Sequence, residues 1–167
     1  SDIKKIERIR YTTSHPRDFT QDLIEAHENC KKLMPLIHLP VQSGSNKILE
    51  AMNRRHTIEE YLEIIKKLIE VKPHIKFSSD FIIGYPGETE KDFNDTLSLL
   101  KEVQFINTYS FIFSSRPGTP AAQMKKVDND ICKERLINFQ KLASEIKLNY
   151  RKSLFNKKSL VLFENRL

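Results

Sequence analysis

The stretch that most constrains the fold of this chain is residues 77–88, FSSDFIIGYPGE. Its apolar run at 81–83 ends abruptly in the glycines and proline of residues 84–87, which is typical of a buried parallel strand running into a loop. Thr89 followed by Asp92 resembles a capping box, so a helix is predicted to begin at once. In α/β folds, ligands bind at loops that follow strand C-termini. This turn is therefore either a plain βα connection or part of a site.

Segments that favour strands and helices alternate along the rest of the chain. The predicted strands are residues 6–11, 36–41, 77–83 and 108–113, and the predicted helices are residues 19–28, 46–53, 57–71, 89–103 and 130–154, before a last short strand at 160–163. Regular alternation predicts an α/β fold with a parallel sheet and right-handed crossovers. Four parallel strands leave two open edges, so we expect the C-terminal part of a larger barrel or sheet whose first strands lie upstream.

Polar side chains follow all four predicted strands. They are Ser14 and His15; Gln42, Ser43 and Ser45; Asp80, just inside its strand; and Ser115 and Arg116. The carboxyl ends of parallel strands meet at one rim, where barrel enzymes build their sites. The alternative is ordinary loop chemistry, since GYPGE is neither a dinucleotide-binding nor a P-loop fingerprint.

Three charged or titratable side chains near this rim each have a structural and a functional interpretation. A carboxylate beside the apolar run, as at Asp80, costs several kcal/mol unless it is hydrogen-bonded or paired, which favours a polar role at the rim. Arg116 is either a bidentate partner for a carboxylate or phosphate, or a surface arginine. His38, inside an apolar run, is either a hydrogen-bonded core histidine or a catalytic one.

Composition excludes several classes of protein. With 39% hydrophobic and 30% charged residues the chain is globular, and no apolar run is long enough for a membrane span or a signal peptide, so we expect a cytoplasmic protein with no membrane partner. Two distant cysteines, Cys30 and Cys132, match no disulfide framework or compact metal site. No two histidines are spaced i, i+4, which argues against zinc.

Basic residues are concentrated in the tail, residues 151–167, which holds most of the net charge of +6. A basic cluster of this kind is either a solvated chain end or an electrostatic footprint for nucleic acid.

Four sequence blocks in one order resemble a known family. They are RYTTSHPRDF from residue 10, HLPVQSGSNKILEAMNRRHT from residue 38, SDFIIGYPGETEKDF from residue 79 and SSRPGTPAA from residue 114. Together they resemble the radical S-adenosylmethionine (SAM) methylthiotransferases, specifically the MiaB type that modifies tRNA, over residues 6–150. The branches that act on threonylcarbamoyladenosine in tRNA or on a ribosomal protein remain alternatives.

The resemblance implies a whole enzyme with two 4Fe–4S clusters, one on three cysteines of an N-terminal domain and one on a CxxxCxxC loop of the barrel. The second cluster would cleave SAM to a radical that takes a hydrogen from carbon 2 of an isopentenylated adenosine next to the anticodon, and a methylthio group would replace that hydrogen. Residues 1–154 would be the C-terminal part of the radical SAM core, and residues 155–167 the first strand of a small RNA-binding β-domain called TRAM.

The resemblance also implies a set of SAM-binding residues. They are Gln42 and Ser43 near the ribose or methionine part, Asp80 with Ile82, Ile83 and Gly84 around the adenine and ribose, and Arg116 near SAM or RNA. Neither cysteine motif is present, so we expect the chain alone to hold no cluster and to be inactive without the N-terminal part of the same protein. A hypothesis of another class is a non-catalytic RNA-binding or structural module.

Overall fold

The structure, a computed structural model, describes residue 3, residues 5–13, residues 15–158 and residue 161. The described strands are β1 (Leu36–His38), β2 (Lys76–Ile83) and β3 (Asn107–Ile112), and the α-helices are α1 (Gln21–Asn29), α2 (Asn46–Ala51), α3 (Ile58–Val71), α4 (Glu90–Val103) and α5 (Asn129–Lys152). Short 3-10 helices lie at Pro16–Asp18 and Pro120–Gln123. The predicted alternation of strands and helices is thus confirmed between residues 19 and 154.

The three strands form one parallel sheet in the order β1-β2-β3. The predicted strand at residues 6–11 is wrong, because this segment makes only isolated parallel bridges, from Ile9 to Leu33 and from Thr12 to His38. Proline rings flank β1 at residues 35 and 40 and limit it to three residues. Its edge therefore offers few consecutive backbone groups for a further strand to pair with.

The two faces of β2 differ in burial. Phe77, Phe81 and Ile83 point to one side and belong to the main hydrophobic core beneath the helices. Asp80 and Ile82 alternate with them and are only partly buried. Ser78, further from the rim on that same face, is buried, so the face becomes more accessible only towards the C-terminal end of the strand.

Local signals fix the helices around this sheet. The predicted capping boxes, Thr57 with Glu60 and Thr89 with Asp92, start α3 and α4 and are confirmed. In α5, Phe139 packs against Phe81 of β2 with ring centroids 4.8 Å apart.

No helix among the described residues is both long and apolar enough to cross a membrane. The predicted last strand, residues 160–163, falls almost wholly outside the described residues, as does Ser14.

Candidate functional site

A cleft of about 860 Å³ opens at the C-terminal ends of the strands. Four of the seven predicted site residues line it: Gln42, Asp80, Ile82 and Arg116. They come from the ends of β1 and β2 and from the loop after β3, so the sheet brings together residues more than 70 positions apart in the chain. A cleft of this size suits a small ligand or cofactor.

The other three predicted residues, Ser43, Ile83 and Gly84, are buried. The hydroxyl of Ser43 accepts a hydrogen bond from the backbone N–H of Ser45, and Ile83 is fully buried in the core. A Cβ at Gly84, where φ is +74°, would collide with the sulfur of Cys132. These three residues therefore shape the rim from behind, and none of them lines the cleft.

Gln42 has a strained backbone. Its φ is 79°, in the left-handed region that residues other than glycine rarely adopt. Two backbone hydrogen bonds of 2.9 Å hold it there: its N–H donates to the carbonyl of Asp80, and its own carbonyl accepts from the N–H of Ile82. Strain of this kind persists only where the surrounding structure holds it, and it clusters at functional sites.

His38 provides the partner that the Asp80 carboxylate was expected to need. Nε2 of His38 lies 3.4 Å from Oδ1 of Asp80, and the Asp80 side chain remains 32% exposed towards the cleft. On the other side of the imidazole ring, Nδ1 lies 3.0 Å from Oγ of Ser78. The carboxylate is thus both partnered and accessible.

Arg54 is a cleft residue that the sequence did not single out. It donates a 3.1 Å hydrogen bond to the carbonyl of Pro40, yet among the described residues its buried Nε has no hydrogen-bond partner. Burial lowers the pKa of Arg54, and the charge of Asp80 opposes that shift. The sequence shows only an arginine pair, and nothing in it distinguishes Arg54 from the exposed Arg55.

One wall of the cleft is apolar. Ile82, Phe111 and Phe113 line it, and the Phe113 ring meets the Tyr85 ring edge-on with centroids 4.9 Å apart. Phe111 is 60% exposed, so its ring offers apolar surface to a ligand. One cleft therefore offers a cation, a carboxylate and an apolar surface.

The loop after β2 is clamped from α5. Oε1 of Glu88 accepts hydrogen bonds from the N–H of Gly84, at 3.1 Å, and from Arg135, at 2.8 Å. Both charged side chains are buried. Burial raises the pKa of Glu88, and the hydrogen bonds from Gly84 and Arg135 oppose the rise. Glu88 thus holds its own loop.

A second carboxylate joins the loop after β1 to the loop after β2. Asp92 of α4 accepts hydrogen bonds from the Ser45 hydroxyl at 2.7 Å, from Lys47 Nζ at 2.9 Å and from the N–H of Thr89 at 2.8 Å. Burial acts to raise the pKa of Asp92, but the hydrogen bonds from Thr89 and Lys47 outweigh it and leave the pKa well below its usual range.

The described residues do not fit an iron–sulfur cluster. Within them, no three histidine, cysteine, aspartate or glutamate side chains come together in a metal-binding group. The sequence holds two cysteines, of which Cys132 is buried against Gly84. A cluster bound by three cysteines needs ligands that this sequence does not contain.

Comparison with known proteins gives concordant results. The family model of the radical SAM superfamily matches residues 1–100. The tRNA-2-methylthio-N(6)-dimethylallyladenosine synthase of Wolbachia pipientis wMel is 56% identical over 165 residues, and the protein of the same name from Pelagibacter ubique is 58% identical over 163 residues. Both alignments cover 98% of this chain, which spans 38% and 36% of those relatives.

A solved structure shows the same fold. Coproporphyrinogen III oxidase from Escherichia coli, described as a radical SAM enzyme, superimposes with a TM-score of 0.64 at 18% sequence identity. The match covers 79% of this chain and 31% of that one. At this level of identity the similarity concerns the fold alone.

Proposed function

We propose, from the premise that this chain belongs to the radical SAM superfamily, that it forms the later part of the SAM-binding barrel of a tRNA methylthiotransferase. The substrate would be N6-isopentenyladenosine next to the anticodon, and the product its 2-methylthio derivative. The observation that carries the proposal is the identity of 56% to 58% with two relatives named for this reaction, across 98% of the chain. That name favours the isopentenyl branch over the threonylcarbamoyl and ribosomal-protein branches.

The chemistry of the cleft fits SAM. The guanidinium of Arg54, with an unpartnered buried Nε among the described residues, suits the carboxylate of the methionine part. Asp80 accepts hydrogen bonds, as ribose hydroxyls require. The wall of Ile82, Phe111 and Phe113 suits the adenine ring. We assign Gln42 to the ribose or methionine part and Arg116 to SAM or RNA at the mouth of the cleft.

Bound SAM, with a reduced 4Fe–4S cluster, would supply the radical that starts the reaction. The role of this chain is to bind SAM and to orient it. Arg54 and Asp80 fix the two polar ends of the cofactor, and the apolar wall excludes water from the reacting groups. Because this chain does not offer the ligands for a cluster, we assign both clusters of the complete enzyme to an N-terminal part of the same protein.

The basic tail supports a tRNA partner. Arg151 and Lys152 end α5, Lys157 and Lys158 follow, and all four are exposed. Lysines and arginines that neutralise phosphates supply much of the affinity for nucleic acid. We place the end of the radical SAM core at residue 154 and the start of a TRAM domain at residue 155. The missing cluster ligands favour a second reading for the isolated chain, a non-catalytic RNA-binding module.

The test uses the protein that contains this chain, extended upstream through a CxxxCxxC loop and loaded with iron and sulfide under argon. Calorimetry measures SAM binding to the extended protein, to its Arg54→Gln variant and to the control variant Arg55→Gln. We expect Arg54→Gln to weaken SAM binding at least tenfold, as removing a partner of a carboxylate does, and Arg55→Gln to leave it unchanged. Mass spectrometry of tRNA nucleosides identifies the product. Failure of the extended protein to bind SAM would overturn the proposal.

A further inference from the structure

We propose that His38 is a positioning residue for Asp80. It holds one carboxylate oxygen at the base of the cleft, so that the other oxygen faces the sugar of bound SAM. The inference rests on the proposed function, since it assumes that SAM occupies the cleft. It adds a residue, His38, for which the sequence left a core role and a catalytic role equally open.

The register of the sheet places the three side chains in line. His38 of β1 lies opposite Ser78 of β2, and Asp80 is the next β2 residue on the same face, one step closer to the rim. Nδ1 of His38 lies 3.0 Å from the Ser78 hydroxyl, and Nε2 lies 3.4 Å from Oδ1 of Asp80. The ring bridges a buried hydroxyl and a half-exposed carboxylate.

Neutral histidine suffices for this role. If the Ser78 hydroxyl donates to Nδ1, the proton of the ring is on Nε2 and faces Asp80. Tyr109 of β3 meets the His38 ring edge-on, with centroids 6.0 Å apart, and restrains its tilt. The distance of 3.4 Å is long for a hydrogen bond, but such contacts in ligand-free sites often shorten when the ligand binds.

A hydrolytic Ser-His-Asp triad does not fit these residues. Ser78 is 5% exposed and does not line the cleft. A nucleophilic hydroxyl must reach the substrate. Ser78 therefore orients the ring and does not attack.

Arg54 explains why Asp80 needs to be held. Both side chains line the cleft, and the charge of Asp80 opposes the lowering of the Arg54 pKa that burial causes, yet among the described residues the carboxylate pairs with His38 and not with Arg54. A closed Asp80–Arg54 pair would cancel the two charges that the ligand requires. His38 keeps the charges of Asp80 and Arg54 apart by giving the Asp80 carboxylate a partner on the neighbouring strand, β1.

The test measures binding to the extended, cluster-loaded protein with two ligands: SAM, and a SAM analogue that lacks the 2' and 3' ribose hydroxyls. We expect His38→Phe to weaken SAM binding about tenfold, as the loss of a contact to a charged group does, and to leave the analogue unchanged. His38→Gln should retain most of the affinity because its amide N–H replaces Nε2–H. In an Asp80→Asn background, His38→Phe should have no further effect.

Two further variants separate the outcomes. His74→Phe changes an exposed histidine remote from the cleft and should leave both ligands unaffected. If His38→Phe does not fold, Ser78→Ala carries the test, since a loosened ring should weaken SAM binding and spare the analogue. Equal losses for both ligands, no loss at all, or additivity with Asp80→Asn would overturn the role of His38. If the unsubstituted protein fails to bind SAM, the proposed function falls and this inference with it.

Discussion

Arg135 of α5 donates to both the carboxylate and the backbone carbonyl of Glu88, at 2.8 and 3.3 Å, so the last helix holds the loop that follows the central strand. A buried ion pair need not stabilise a protein more than apolar residues would, but removing one partner leaves a buried charge alone. Replacing one partner of the pair should therefore destabilise the protein more than replacing both partners.

Arg135→Met should destabilise the fold by roughly 3–5 kcal/mol, because Glu88 is left buried and unpaired. Adding Glu88→Gln to it should restore part of the loss. The free energy of unfolding in urea measures both changes. The matched control is Lys133→Met, which removes an exposed ion pair between Lys133 and Asp130 on the same helix. Equal effects of Arg135→Met and Lys133→Met would contradict the clamp.

Gly84→Ala should cost far more stability than Gly87→Ala. Both glycines have φ near +80°, so both variants pay the left-handed cost of roughly 1–2 kcal/mol. Only at residue 84 does the new methyl group also collide with the Cys132 sulfur, whereas at residue 87 it meets open space. Cys132→Ala should partly rescue Gly84→Ala. Thermal unfolding of the four variants measures the difference, and two glycines of equal cost would refute the packing argument.

Stability should fall as pH drops from about 6.5 to about 4. Burial lowers the pKa of His27 to about 4, and Nε2 lies within hydrogen-bond distance of the Tyr11 hydroxyl, at 2.7 Å. Between these pH values the unfolded chain binds a proton that the native ring does not, so stability is full above 6.5 and falls by roughly 3 kcal/mol on acidification. His27→Gln should flatten the profile of unfolding free energy and His74→Gln should not. An unchanged slope in His27→Gln would exclude His27 as the cause.

Gln42→Gly should stabilise the protein and weaken SAM binding. The substitution relieves the strain of a φ of 79°, worth roughly 1 kcal/mol, but removes a side chain that lines the cleft. Gln104→Gly is a close control, because Gln104 has a φ of 56° at the end of α4 and does not line the cleft. Urea unfolding and calorimetry should separate the two variants. If Gln42→Gly binds SAM as tightly as the unsubstituted protein does, Gln42 does not belong to the binding site.

Sequence reasoning succeeded where the signal is local. The strand at 77–83, its turn and the capping box at Thr89 depend on neighbouring residues and are confirmed. The resemblance to the radical SAM methylthiotransferases and the partial radical SAM barrel are also confirmed, by the family model, the named relatives and the shared fold. The strand predicted at residues 6–11 is absent because the neighbouring strand, β1, has only three residues to pair with.

The site was less predictable, because its contacts join residues far apart in sequence. Nothing near His38 shows that it meets Asp80, and nothing near Arg54 shows that its Nε lacks a partner among the described residues. Gly84 was predicted to lie near the adenine and ribose of SAM, and nothing in the sequence indicates the packing requirement that α5 also imposes on it. The SAM contacts themselves remain predictions.

The Asp92 carboxylate has a consequence for binding. Because it is bonded to groups of the loops after β1 and after β2, neither loop can shift without breaking hydrogen bonds to a buried charge. The conformational entropy of this part of the rim is therefore lost during folding and not on ligand binding. A ligand entering the cleft meets a preorganised surface, and its affinity is not reduced by a cost for ordering these loops.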